Sequence, residues 1–99
     1  MNIQQMMKQA QQMQDKLQRQ MGEMRIEGAA GGGMVTVTVN GHKGMLGIKI
    51  DPEAVSKDDV EMLQDLVLAA INDAHRKVDE ALSQQMSALT GGMKIPGLG

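Results

Sequence analysis

The side chains that could carry catalysis in this 99-residue chain are two histidines, three serines and a scatter of carboxylates. His42 and His75 are far apart in sequence, and neither has the second His or the Glu one helical turn away that a metal site on a helix needs. Both read as exposed polar residues. Ser56, Ser83 and Ser87 have no His/Asp arrangement beside them and no nucleophile-elbow motif. Asp58-Asp59 and Asp79-Glu80 are adjacent pairs, and neighbours on a helix point in different directions rather than share a proton. An enzyme built on Asp51 or His75 is the weakest reading. There is no cysteine, hence no thiolate nucleophile, disulfide or zinc-thiolate site. The run Gly28-Ala-Ala-Gly-Gly-Gly33 suggests a phosphate cradle. It leads into a strand instead of a helix N-terminus, and no Lys-Ser/Thr follows, so it reads as a flexible connector.

Positive charge is the chemistry that remains. Residues 1–50 carry six basic and three acidic groups; residues 51–99 carry four basic and nine acidic, and the net charge is −2. In the first half Lys8, Lys16 and Arg19 stand among seven glutamines between Gln4 and Gln18. Amides bond to phosphates and base edges without adding charge. Such a face is either solvated or a nucleic-acid surface, and the pattern alone fits both. In the second half Arg76-Lys77 is the one adjacent basic pair, with Asp79-Glu80 close behind.

The elements that must position these charges follow from periodicity. Asn2 caps an amphipathic helix running to about Gly22, with Ile3, Met6, Ala10, Met13 and Leu17 as a seam at spacings of three and four. Lys8 and Arg19 fall nearly opposite that seam, with Lys16 toward the same side. Met24 to Ala29 fits a short strand. Gly33 to Pro52 reads as a β-hairpin: Val35, Val37 and Val39 alternate with Thr36 and Thr38, and Asn40-Gly41 opens a turn that can extend to Gly44. Leu46, Ile48 and Ile50 then share one side of a strand that Asp51-Pro52 ends. Ser56 is the expected cap of a long helix reaching about Thr90, where Gly91-Gly92 stops it. Such a helix outruns a sheet of six-residue strands, so its C-terminal part projects. The expected organisation is one α-β-β-β-α domain over 1–92 and a short flexible tail over 93–99.

The chain contains no Phe, Tyr or Trp, while methionine alone supplies 11 residues. A core of that kind is adaptable but buries little area per residue, which favours an oligomer. Val35, Val37, Val39, Leu46 and Ile48 are the positions expected to be buried at a homodimer interface. The N-terminus has no apolar signal-type region and no run approaches the ~20 residues of a membrane span, so the expected location is cytoplasmic.

Several stretches together resemble the YbaB/EbfC family of small bacterial nucleoid-associated proteins. They are Lys8-Gln-Ala-Gln-Gln-Met-Gln14, Gly33-Met-Val-Thr-Val-Thr-Val-Asn-Gly41, Ile50-Asp-Pro52, Leu63-Gln-Asp-Leu66, Ala69-Ala-Ile-Asn-Asp-Ala74, Thr90-Gly-Gly92 and Pro96-Gly97. Leu63-Gln-Asp-Leu66 departs from the family's Leu-Glu-Asp-Leu by one charge. The resemblance implies an α+β fold with a small three-stranded antiparallel sheet. It also implies a homodimer joined through the sheets, with helices projecting as the arms of a tweezer. It further implies binding of double-stranded DNA with little sequence preference, a role in nucleoid organisation or gene expression, contacts from the first and last helices, and no enzymatic activity. The expectation is therefore a DNA-binding homodimer without cofactor, metal, membrane or small-molecule substrate, using Lys8, Lys16, Arg19, Arg76 and Lys77. A protein-interaction adaptor gripping a partner helix with Met-rich surfaces is the alternative.

Overall fold

The computed structural model describes residues 2–89. The expected tail, 93–99, lies outside the described residues. Helix α1 (Ile3–Glu23) is followed by strands β1 (Ile26–Ala30), β2 (Val35–Val39) and β3 (Met45–Ile50), a 3-10 turn (Pro52–Ala54) and helix α2 (Val60–Leu89). The three strands form an antiparallel sheet in chain order. This is the α+β architecture expected from the sequence.

The strands start and stop where their chemistry dictates. Gly31, Gly32 and Gly33 take φ of 65°, 68° and 94°, a left-handed turn that joins β1 to β2 and that other residues rarely adopt. In the second turn the Asn40 side-chain oxygen accepts from the N–H groups of His42 and Gly44, both at 2.9 Å, so the loop does run to Gly44. Asn2 caps α1 by accepting from Gln4 N at 3.0 Å. At α2 the expected cap was Ser56, but its hydroxyl is used within its own turn, accepting from Asp58 N at 3.2 Å. Asp59 caps the helix instead, with Met62 N donating to its carboxylate at 3.1 Å.

Helix α2 lies across one face of the sheet, over β1 and β2. Val35, Val37 and Val39 are fully buried against Ala70, Ala74 and Val78, and Leu63, Leu66, Val67, Ile71 and Leu82 pack at the margin. The seat is a backbone contact. A Cβ on Gly28 would lie 2.3 Å from Ala70 O and Ala74 N. Gly28 therefore belongs to β1, opposite Val37, inside the short strand expected over Met24 to Ala29, although it also opens the glycine-rich run read as a connector.

Coverage stops short of β3, all six residues of which are exposed. Leu46, Ile48 and Ile50 retain 47%, 49% and 39% exposure. Ile48 pairs with Val37 and Ile50 with Val35, so their side chains share the α2 face of the sheet but lie beyond the helix.

Helix α1 has no buried residue. The seam expected to pack is bare: Ile3, Met6, Met13 and Leu17 are 42–72% exposed. The radius of gyration, 18.9 Å, exceeds the ~13 Å of a compact chain this long because both helices extend past the sheet.

The seating of α2 generates a prediction. Gly28→Ala should lower the unfolding free energy by about 1–3 kcal/mol, because the added methyl meets helix backbone that cannot yield as a side chain would. Urea denaturation followed by circular dichroism measures it. A midpoint equal to wild type would mean that α2 does not sit this close to β1.

Candidate nucleic-acid interface

Helix α1 is held to the body only near its C-terminal end, and the tip of the β2–β3 hairpin holds it there. The last carbonyls of a helix lack partners within it. Gly41 N donates to Met21 O at 2.7 Å, and the His42 ring Nε2, as the N–H tautomer, donates to Gln18 O at 3.1 Å. Arg25 adds guanidinium bonds to Gly22 O at 3.1 Å and Met24 O at 2.9 Å. A Cβ on Gly41 would come within 2.9 Å of Met21 O, so the tip must be glycine to approach this closely. His42 thus ties the hairpin tip to the last turns of α1, a role its exposed loop position did not suggest. The Asn40-Gly41 turn was the legible part; the helix that it would touch was not.

The five candidate basic residues divide into two sets. Lys8, Lys16 and Arg19 are exposed on α1, and no carboxylate lies within 4.0 Å of any of them among the described residues. They span about 16 Å of helix axis, roughly half a turn of duplex. Arg76 and Lys77 are engaged within the chain. Arg76 meets Asp73 and Glu80, both at 2.7 Å, and Lys77 meets Asp73 at 3.0 Å. Hydrogen bonding from Asp73, then the charge of Glu80, raises the Arg76 pKa above its ordinary value. The hairpin's Lys43 likewise pairs with Asp79 at 3.0 Å.

Asp73 and Lys77 also close an edge of the sheet. Strand β1 turns the backbone groups of Glu27 and Ala29 outward. Ala29 N donates to the Asp73 carboxylate at 3.0 Å, and Lys77 Nζ donates to Glu27 O at 3.4 Å. The Ala29 bond, then Lys77 and Arg76, hold the Asp73 carboxyl far below the ordinary 3.8. On the other edge, no such side-chain cover of β3 occurs among the described residues.

The hydrophobic candidates also divide. Val35, Val37 and Val39 form the chain's own core, which takes them out of the expected dimer surface, whereas Leu46 and Ile48 remain open to a partner. His75 is half-buried, with Nε2 enclosed and lacking a hydrogen-bond partner, so it is not the exposed residue expected from the sequence. No group of three His, Asp or Glu side chains able to hold a metal occurs among the described residues. No described helix is long and apolar enough to cross a membrane.

The described residues thus combine a small helix-covered sheet with a helix whose basic side chains carry no ion pair. The chain belongs to the YbaB/EbfC DNA-binding family, whose pattern matches residues 1–93. It is 52% identical over 96 residues to a nucleoid-associated protein of Koribacter versatilis, covering 97% of this chain and 95% of the relative. It is 51% identical over 100 residues to a nucleoid-associated protein of Caldanaerobacter subterraneus, covering 98% and 90%. Its fold is similar to that of the crystal structure of uncharacterized protein HP0035 from Helicobacter pylori. There the TM-score is 0.69 at 24% identity, covering 91% of this chain and 98% of that one.

The Asp73 cluster sets an acid limit. Its folded-state pKa is depressed, so the stability it contributes is present above the unfolded value and is lost as pH falls below about 4. Asp73→Asn should lower the urea midpoint at pH 7 and flatten its decline between pH 5 and pH 3. Equal slopes for variant and wild type would remove Asp73 from that role.

Proposed function

We propose that this protein is a nucleoid-associated DNA-binding protein that acts as a homodimer in the cytoplasm, contacts duplex phosphates through α1 and carries out no catalysis. The observation that carries this reading is the contrast between the two helices. Among the described residues the cations of α1 are unpaired, and Lys8 lies about 20 Å along the helix from its anchor, while those of α2 are bound to carboxylates. Family membership and the nucleoid-associated relatives support DNA as the ligand. Lys8, Lys16 and Arg19 are the proposed contacts. Lys77 serves first to fasten α2 to β1, and Arg76 to hold Asp73, which bonds β1; their share in DNA contact is secondary.

Phosphate contacts position a protein without reading sequence, so discrimination between duplexes is weak. Two copies double the number of cations and allow two arms to engage one duplex. The exposed seam of α1, with Met6 51% and Met13 60% exposed, favours a second reading in which the arm grips a partner helix.

Salt separates the two. Affinity for unrelated duplexes should fall steeply with ionic strength, whereas an apolar grip would barely respond. Lys8→Ala combined with Arg19→Ala should weaken all duplexes alike and reduce the salt slope by roughly one unit for each phosphate left without its cation, with the fold intact. A gel shift across salt concentrations checks both points. Wild-type affinity in this variant at every salt concentration would move the DNA-binding surface away from α1.

A further inference from the structure

The tip that holds α1 is an Asn-Gly pair, a dipeptide with a reaction of its own. The glycine nitrogen can attack the carboxamide carbon of the preceding asparagine, because no side chain on the glycine stands in the way. The chain contains three asparagines, Asn2, Asn40 and Asn72, and only Asn40 precedes glycine. The turn presents Asn40 for that attack. Its Oδ1 accepts from His42 N and Gly44 N, both at 2.9 Å. Between them Lys43 takes φ of 65°, a left-handed residue inside the turn that these bonds close. Two backbone donors on one carbonyl oxygen polarise the carboxamide. They also stabilise the negative charge that builds on Oδ1 as the attacked carbon becomes tetrahedral.

Helix α1 withholds the nucleophile. Gly41 is buried, and its N–H donates to Met21 O at 2.7 Å. While that bond stands, the nitrogen can neither give its proton to water nor turn toward the carboxamide. We propose that Asn40-Gly41 is a self-modification site, that docked α1 guards it, and that its reaction releases α1. When the C-terminal end of α1 lifts from the tip, a local opening rather than unfolding, the Gly41 nitrogen bonds to Cγ of Asn40 and the Cγ–Nδ2 bond breaks. The proton of Gly41 N leaves with the amide group as ammonia, and a cyclic succinimide remains. Water then opens the ring at either carbonyl, giving aspartate or isoaspartate.

The aspartate product keeps both acceptor bonds of Asn40, but the isoaspartate cannot keep the joint. Its main chain is longer by one methylene, about 1.5 Å. That length enters where there is no slack, since a Cβ on Gly41 would already lie 2.8 Å from Met24 Sδ and 2.9 Å from Met21 O. The carboxylate that isoaspartate frees also sits beside the last carbonyls of α1, the negative end of the helix, and repels them. The bonds from Gly41 to Met21 and from His42 to Gln18 are then lost, and α1 loses its hold on the hairpin. This coupling stands whether or not α1 contacts DNA.

Mass spectrometry with enzymatic methylation of isoaspartate provides the test. Trypsin yields a peptide over 26–43 in which Asn40 is the one asparagine. Wild type aged in mildly alkaline buffer should form isoaspartate there slowly. His42→Ala removes the bond to Gln18 O and keeps the Asn40 turn, whose donors are backbone groups. It should form isoaspartate about fivefold faster, the factor that one lost hydrogen bond gives, with circular dichroism unchanged. Should His42→Ala lose its fold, Arg25→Ala takes its place, because Arg25 binds Gly22 O and Met24 O at the same end of α1. The isoaspartate form of wild type, isolated by chromatography, should be cut by limited trypsin after Arg25 several times faster than the fresh chain. A folded variant that reacts no faster than wild type would overturn the guard by α1. Absence of isoaspartate from wild type and variant alike would overturn the site itself. Unchanged cleavage after Arg25 in the isoaspartate form would overturn the release of α1.

Discussion

A Cβ atom at position 28 would lie 2.3 Å from both Ala70 O and Ala74 N, so α2 crosses β1 only because residue 28 has none. Helix and strand meet backbone to backbone, with alanine methyls on one side and hydrogen on the other. This seat draws α2 toward the β1 side of the sheet. From there Asp73 and Lys77 reach the outward groups of β1, and Val35, Val37 and Val39 fall under Ala70, Ala74 and Val78. The same offset leaves Leu46, Ile48 and Ile50 uncovered. One steric constraint thus accounts for a closed edge, a buried strand and an open edge.

The core that results is small. Among the described residues the fully buried side chains are four valines and three alanines, and burying a valine stabilises by roughly 1.5–3 kcal/mol. No aromatic ring adds area. A ~100-residue chain with two helices extending past its sheet buries less surface than a compact domain of that length. The uncovered apolar residues on β3 and α1 are therefore a reserve of burial that association can use and the single chain cannot.

Much of the fold was legible because its signals are local. Asn2, Asn40-Gly41, the valine alternation and the helical spacing each act within a few residues, and the elements fall where these place them. The errors came from contacts distant in sequence. Gly28 sits in a run with connector composition, and the helix that demands a glycine there begins more than 30 residues further on. His42 looked idle because the carbonyl it binds, that of Gln18, belongs to an element whose docking site no local pattern reveals. The α1 seam has regular coiled-coil spacing, but spacing does not say whether a surface exists to receive it. Arg76 and Lys77 were different. Asp73 and Glu80 lie three or four residues away, so the ion pairs that occupy them were readable from helical spacing alone.

Electrostatics shows what the distance between the basic helix and the acidic body achieves. Residues 51–99 carry nine acidic groups against four basic, a field that repels phosphate. At physiological ionic strength that field decays over ~8 Å. Lys8 lies 13 residues before the docked carbonyl of Met21, about 20 Å along the helix and more than two screening lengths from its anchor. Packed along the sheet, the same lysine would sit within reach of those carboxylates and offer a phosphate little net attraction. Arg19 is only about 3 Å along the axis from the anchor and experiences more of the body's charge. Attraction for DNA should therefore rise toward the free end of α1. An acidic protein can in this way present a basic surface without a basic composition, provided that the hairpin tip fixes the helix and leaves its length free.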